Sequence, residues 1–510
     1  MNDYDLMILG AGPNGLTVAN AMRDYGYKVA IFERDIEPFP DPRAMAFDDQ
    51  ALRILEQCGV LENYKDELLA DDQLRYMDYK SNKPLLTFTP GKTKYGYYQW
   101  ITFHQVELEK YLRKQLSNGN GVDAFIGWEV EEITDGTESV SLTAKNLETG
   151  EVKTFSAPYL VGSDGGQSMV RRTIASGRID LGYSEDWYVT DTYITDEEYW
   201  DNFPSGTQFY PHPEHSILVY KGLKGHVRFD FKAGKMNMQE FEVHVKSLIS
   251  RWYDVSKFNI TRLSPYTFYA GTADTWRKGR LVLSGDAAHL TPPWAGQGLN
   301  SGLRDVINLI FKLDLVLKGK ANERLLETYQ TERLEPAKES IRGAIRSGKM
   351  VAIKNPLLIK LRNFFYYLCN RSESLKNYLL TTVVINRPPY NAGLIGNHKL
   401  SGSLSIQPEV SLPEGGIRLM DQAIGNGFAL LSRKPVPDGK SSQFSQSVGG
   451  TVIYIGKDIL DCEGKLNKWF NNEGVDCVLL RPDKYVFSAG KNPSQVLDEF
   501  ATAWAPYAAN

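Results

Sequence analysis

The sequence is short of several things, and each shortage excludes a class of function. It holds four cysteines in 510 residues (Cys58, Cys369, Cys462 and Cys477), with no CxxC pair and no metal-ligand spacing. That argues against a disulfide framework, a dithiol redox site and a zinc site, and it fits a reducing cytoplasm. No run of about 18 apolar residues occurs, so no integral membrane contact is expected. The opening "MNDYDLMILGAGPNG" enters a strand pattern at once and leaves no room for the basic and apolar stretches of a secretory leader. An excess of one charge is missing too: the formal net charge is −4 and no Lys/Arg-rich stripe is present. Nucleic acid therefore finds no electrostatic footprint here, and the chain reads as a soluble, cytoplasmic protein.

What is present suffices for two to four domains of roughly 100–200 residues, with 42% hydrophobic and 24% charged residues. The stretch "DYDLMILGAGPNGLTVANAMRDYGYKVAIFER" reads as a short apolar strand, a glycine turn, a helix and a second strand ending in Glu33. That is a βαβ dinucleotide unit. Gly10 permits the tight turn, Gly12 lets backbone approach a pyrophosphate, and Gly15 lets the helix pack on the strand, with Pro13 and Asn14 at the helix start. Glu33 is placed to accept hydrogen bonds from a ribose diol, and Arg34 beside it is either a partner for a 2′-phosphate or a solvated surface residue.

A second glycine cluster lies in "GDAAHLTPPWAGQGLNSGLRD" at 285–305. Its glycines at 296, 298 and 302 stand at the mouth of a helix, where bare backbone can come close to a ligand. Asp286 ends an apolar strand, and Pro292 and Pro293 stiffen the approach. In "VGSDGGQSMVRR" at 161–172, Asp164 and Gly165 also follow a strand. They can face a nucleotide, or the aspartate can simply cap the helix "SMVRRTI". His289, with no acidic or cysteine partner in its own motif, reads as a structural hydrogen-bonding residue.

These motifs, with "PRAMAFDDQALRIL" at 42–55, come in the order found in FAD-dependent aromatic hydroxylases. The chain resembles the single-component (group A) flavoprotein monooxygenases, especially their phenol-hydroxylase and 3-(3-hydroxyphenyl)propionate-hydroxylase-like branch, over about residues 1–345. The resemblance implies FAD as cofactor, NADPH or NADH as co-substrate, and hydroxylation of a small aromatic, phenolic substrate by O2 through a flavin C4a-hydroperoxide. It implies that Asp286 bonds the ribityl chain, that Arg43 and Gln105 lie near FAD, and that backbone at Gly296, Gly298, Leu299 and Asn300 lies against the flavin. The Pro293 carbonyl would face the substrate, and Trp294, where the family commonly has phenylalanine, would shape the pocket. Pro293, Trp294 and Gly298 are thus the catalytic environment, with no acid or base assigned. Related outcomes on a non-phenolic substrate (epoxidation or Baeyer–Villiger insertion), or a flavin-dependent reductase, are the alternatives. No second GxGxxG unit is found for the nicotinamide nucleotide.

The expected fold is α/β: a Rossmann-like FAD-binding domain (1–185 and 270–345) interleaved with an antiparallel-sheet substrate domain. That second domain covers 186–269, with a segment inserted near 72–100. Alternating segments such as "TQFYPHP" and "HVRFDFKAG" carry the sheet, and Tyr210 and Arg228 are its candidate substrate contacts. Residues 346–400 read as amphipathic helices with a basic face, suited to intramolecular or homodimer packing. Residues 401–510 read as a thioredoxin-like unit without CxxC.

Overall fold

The computed structural model describes residues 2–38, 44–70, 73–116, 121–232, 236–380 and 387–509. Its first layer is a six-stranded sheet in the order 277–278, 281–283, 160–162, 6–9, 29–33, 122–126. Strand Leu6–Leu9 is buried throughout and pairs in parallel with Val29–Glu33 on one side and Leu160–Gly162 on the other. Continuous apolar runs such as LMIL suit a parallel strand covered on both faces. Because the first strand is flanked by later strands on either side, the chain leaves its carboxyl end in opposite directions. A crevice opens at that point, and this is where open α/β sheets take their ligands.

The second layer is an eight-stranded sheet in the order 289–290, 258–273, 178–194, 226–232, 217–221, 207–210, 74–77, 84–88. It is antiparallel except where Thr207–Tyr210 runs parallel to Leu74–Met77, and between the two short segments 289–290 and 84–88 all its other pairings are antiparallel. Two long strands, Arg178–Ile194 and Phe258–Ala273, pair from Arg178↔Ala273 to Ile194↔Phe258 and carry the sheet outward from the nucleotide layer. Side chains alternate along strand His226–Lys232. Val227, Phe229 and Phe231 join a core with Phe241 and Val245 of helix Met238–Ile249, which places Arg228 and Asp230 on the opposite face.

Helix Gln297–Leu317 runs through the interior and is buried along most of its length. It meets helix Arg324–Val351. Beyond these, helix Pro356–Asn370 buries only Arg362, Tyr366 and Cys369, while Leu357, Leu358, Leu361, Phe364 and Leu368 are exposed. The C-terminal sheet has the order 451–454, 429–432, 477–480, 486–490, with the first pair parallel and the others antiparallel. Cys462 is exposed and Cys477 buried, and both are free thiols. Burial pushes the Cys477 thiol up to about 12, so it does not ionise at neutral pH.

The C-terminal region is fastened to the rest by buried charge. Arg53 donates to Asp421 through Nε at 2.6 Å and through Nη2 at 2.8 Å. Arg481 donates to Glu332 through Nη1 at 2.9 Å and Nη2 at 2.6 Å, and Lys312 reaches the same carboxylate at 2.7 Å. Glu332, Lys312 and Arg481 are fully buried. Although burial alone would raise it, the guanidinium of Arg481 and the ammonium of Lys312 hold the Glu332 carboxyl down at about 2. Its contribution to stability is therefore present above the ordinary carboxylate range and is lost as pH falls from about 4.5 toward 2. Glu332→Gln leaves two buried cations short of a counter-charge and should cost about 3–5 kcal/mol at neutral pH, with a flatter acid limb. Urea melts of both proteins between pH 7 and pH 3 measure this; equal losses on acidification would show that Glu332 is not the group responsible.

Candidate functional site

The crevice at the carboxyl ends of the parallel strands continues beneath the eight-stranded sheet as one cleft of about 1510 Å³, its open mouth included. The glycine turn (Ala11 to Asn14), Glu33, Gln105, Ser163, Gly165, Asp286 and the segments Leu290–Pro293 and Gly296–Leu299 all line it. Residues from distant parts of the chain thus share one wall, because the strands that carry them end at the same edge of the sheet.

At the nucleotide end, Glu33 accepts from the Ala11 amide at 2.9 Å and from the Asp35 amide at 3.0 Å, so its carboxylate is held at the tip of its strand. Gly15 is obligatory for packing, since a Cβ there would stand 2.0 Å from the Gly10 carbonyl oxygen. Gly12 is different. Its backbone is extended (φ −77°, ψ 178°), and a Cβ would meet no protein atom within 4 Å. It borders open cleft at the N-terminus of helix Pro13–Asp24, where a phosphate is favoured by unpaired N–H groups and the helix dipole.

The 285–300 segment is braced from below. Asp305, fully buried, accepts from His289 Nε2 at 2.6 Å, from Arg333 Nε at 2.8 Å and from the Gly285 amide at 3.2 Å. These partners hold its carboxyl below the ordinary range despite burial. His289 therefore has an acidic partner after all, Asp305 at the far end of its own motif, and its role is the structural hydrogen bonding expected of it. Asn14 fits between Gly285 and Gly302, whose added Cβ atoms would each come within 2.0 Å of its amide nitrogen.

Several expected contacts are placed elsewhere. Asn300 does not line the cleft: its amide donates to the carbonyls of Ala46 and Gly296, and its oxygen accepts from the Asp48 amide. Trp294 stands behind the cleft, donating to the Tyr183 hydroxyl at 2.7 Å and packing edge-on against Trp187. Asp164 accepts from the Met169 amide at 2.6 Å through Oδ2, while its Oδ1 is buried without a protein partner and its neighbours Ser163 and Gly165 line the cleft. Arg34 points to solvent, because side chains alternate at the strand end and Glu33 takes the inner side. Arg43 lies outside the described residues.

Tyr210 is on the wrong face of its sheet. It stacks on Trp252 and bonds Asn82, Gln208 and Tyr253 within the core under helix Met238–Ile249. The cleft face is supplied instead by Tyr220, Asp230, Tyr266, Phe268 and Tyr269, together with Trp100. Arg228 shares that face but is absent from the cleft wall, where it holds Asp230 through Nε at 2.7 Å and Nη2 at 3.3 Å. Period-two alternation could have found Asp230 and Tyr220 once one residue of each strand had been assigned to the core. Trp100 carried no such signal.

The cleft fits FAD. Gly12 leaves room for a pyrophosphate, Glu33 lines the cleft from the end of the second strand, and Asp286 with the segments Leu290–Pro293 and Gly296–Leu299 lines the far end. Ser163 Oγ and Thr291 Oγ1 are buried polar atoms at the cleft without a protein partner. A contrast between two glycines tests the assignment. Gly12→Ala should fold with an unchanged melting temperature for the FAD-free protein yet lose FAD retention by at least about tenfold, because its methyl group occupies the pyrophosphate position. Gly15→Ala should instead lower the melting temperature. Fluorescence titration with FAD and thermal melts read the two effects, and full FAD affinity in Gly12→Ala would place the pyrophosphate elsewhere.

Residues 3–344 match the model of the FAD binding domain, and residues 402–503 match that of the HcaD C-terminal domain. The chain is 30% identical to a 3-(3-hydroxy-phenyl)propionate/3-hydroxycinnamic acid hydroxylase of Escherichia coli O139:H28, covering 95% of this chain and 91% of the relative. A protein of the same name from Burkholderia cenocepacia is 28% identical, covering 95% and 93%. Among solved structures, the flavin-dependent monooxygenase PieE in complex with FAD and substrate shares the fold with a TM-score of 0.84 at 18% identity, over 99% of this chain and 100% of that one. Aklavinone-11 hydroxylase with FAD and aklavinone gives 0.79 at 20% identity, over 99% of both chains. A dinucleotide cleft roofed by an aromatic sheet, on a chain with these relatives, makes this protein a member of the FAD-dependent aromatic hydroxylases.

Proposed function

We propose that this chain inserts one oxygen atom of O2 into a small phenolic ring, using NADH or NADPH as reductant and FAD bound in the cleft. The observation that carries the reading is the continuity of one cleft from the glycine turn, past Asp286 and Pro293, to a wall of Tyr220, Tyr266 and Phe268. When bound, FAD supplies hydride acceptance and oxygen activation, chemistry that no side chain provides. The protein's part is placement. Asp286 holds the ribityl chain, and backbone N–H groups at Gly298 and Leu299, at the start of helix Gln297–Leu317, favour negative charge at the flavin edge. The aromatic wall orients the ring and keeps water away. Trp294 acts from behind, fixing the Pro292–Gly296 turn through Tyr183 and Trp187. Purified protein assayed for nucleotide oxidation against a panel of phenols, with products identified by mass, tests the reading; oxidation without any oxygenated product would replace it with a reductase.

A single chain that holds FAD in this cleft would gain by making hydride acceptance depend on the aromatic ligand, so that oxygen activation would not run without a ring to receive it. The correct phenol should raise the rate of flavin reduction at least about tenfold, roughly 1.4 kcal/mol off the barrier. Stopped-flow reduction with and without the phenol measures it, and equal rates would remove the gating.

The protein is further proposed to work in the cytoplasm as a homodimer. Four free thiols, three of them buried, suit a reducing compartment. The exposed face of helix Pro356–Asn370, with Leu361 54% and Phe364 58% exposed, is an apolar surface that a second copy would cover. Leu361→Asp with Phe364→Asp should shift sedimentation from dimer to monomer without changing the melt of the monomer; an unaltered profile would put the interface elsewhere.

A further inference from the structure

The charge inventory of the cleft bears on which aromatic molecules can enter it. The acids in its wall are Glu33, Asp35, Glu109, Asp230 and Asp286, while the only base among the described residues is Arg113. Arg113 donates to the Ile36 carbonyl, which places it at the ribose end beside Glu33 and Asp35. The other end, bounded by Trp100, Tyr220, Tyr266 and Phe268, therefore meets a ligand with the Asp230 carboxylate and no cation among the described residues of its own wall; Arg171 and Arg178 line an adjoining pocket that meets the cleft at Tyr269, Asp286 and Leu290.

Asp230 dominates that end. It is 2% exposed, and both its oxygens are held from one side by Arg228. Each carboxylate oxygen keeps a further acceptor position, so the pair presents a fixed acceptor to the cleft. Arg228 is spent on this pairing, does not itself line the cleft, and has Asp191 as a second nearby anion. Behind it, Asp191 is held by His226 at 2.8 Å and Arg262 at 2.9 Å, so no cation of this cluster is left to swing toward a ligand anion. Beside the hydroxyls of Tyr220 and Tyr266, the wall carries the indole N–H of Trp100, a neutral donor that is buried and has no protein partner. An acceptor and a neutral donor in an apolar pocket match a hydroxyl group, which both donates and accepts. A carboxylate brought there would lose its water and gain a like charge.

Resting on the proposed hydroxylase reading, we infer that Asp230 is a specificity-determining residue that accepts a hydrogen bond from a substrate O–H or N–H. The substrate is accordingly an uncharged, hydroxyl- or amino-bearing aromatic ring, and rings with a carboxylate side chain are rejected. This separates the chain from relatives whose names specify an acid.

Two probes differing only at the end of the side chain test the inference on the FAD-loaded enzyme: 3-propylphenol and 3-(3-hydroxyphenyl)propionate. The neutral phenol should be hydroxylated with kcat/KM at least about tenfold above that of the acid. Equal or higher kcat/KM for the acid overturns the inference and leaves the hydroxylase reading intact. If neither probe nor any other phenol gives an oxygenated product, the reading itself fails and the inference falls with it. Asp230→Asn should raise KM for the phenol and bring the two kcat/KM values to within about threefold of each other; an unchanged ratio in a variant that retains FAD shows that Asp230 does not set it. The wild-type comparison needs no variant, so a misfolded Asp230→Asn leaves the decision to the two probes.

Discussion

Helix Gln297–Leu317 cannot be buried unless its polar stripe is paired, and much of the structure is arranged around that constraint. Asn300, Ser301, Arg304, Asp305, Asn308 and Lys312 are all buried on one helix. Each finds a partner outside the helix: Asn300 at Ala46 and Asp48, Ser301 at Arg333, Arg304 at Gln50, Asp305 at His289 and Arg333, Asn308 at Glu332 and Asp483, and Lys312 at Glu332. Removing one member of such a set strands a charge in a low dielectric, which is far more costly than never having buried it. The helix therefore fixes the relative placement of the nucleotide layer, the 285–300 segment and the C-terminal region.

That placement makes the cleft. The helix begins at the turn that lines its far end, and its Asp305 holds the amide of Gly285 just before Asp286. The same interior charges that stabilise the fold thus set the position of the residues proposed to hold FAD. Trp294 belongs to this bracing set, since the indole that shapes the turn is anchored to Tyr183 and Trp187 on the long strand of the other sheet. The two sheets meet over the cleft through the strands Arg178–Ile194 and Phe258–Ala273, and the wall proposed to hold the substrate is the inner face of the second sheet.

Residues whose role is set by local backbone were legible in the sequence. Gly10, Gly12 and Gly15 act within one turn, and Glu33 ends the next strand, so spacing alone located them. Asp286, in the short turn Gly285–Ala287 that follows strand Leu281–Leu283, and the turn through Pro293 and Gly298 line the cleft, as their position after a strand and before a helix suggested. Asp164 was ambiguous because an aspartate before a helix can serve a ligand or the helix, and here one oxygen serves the helix while the other is buried without a protein partner.

Other residues depend on which face of an element turns inward, and that is fixed only when sheets pack. Tyr210 and Tyr220 are both aromatic residues on alternating strands, yet one lies beneath helix Met238–Ile249 and the other lines the cleft. A strand's side chains point to two faces with equal ease, and the choice between them is made by what covers each face. The acidic partner of His289, sixteen positions along the chain, was likewise invisible until a helix brought Asp305 back beneath the loop. Sequence by itself determined the nucleotide turn, the order of motifs and the absence of metal-ligand or disulfide spacing, because these rest on neighbours in the chain. Tertiary structure alone decided the cleft's far wall, its excess of carboxylates and the buried ion pairs, because charges and faces acquire partners only when distant segments are folded together.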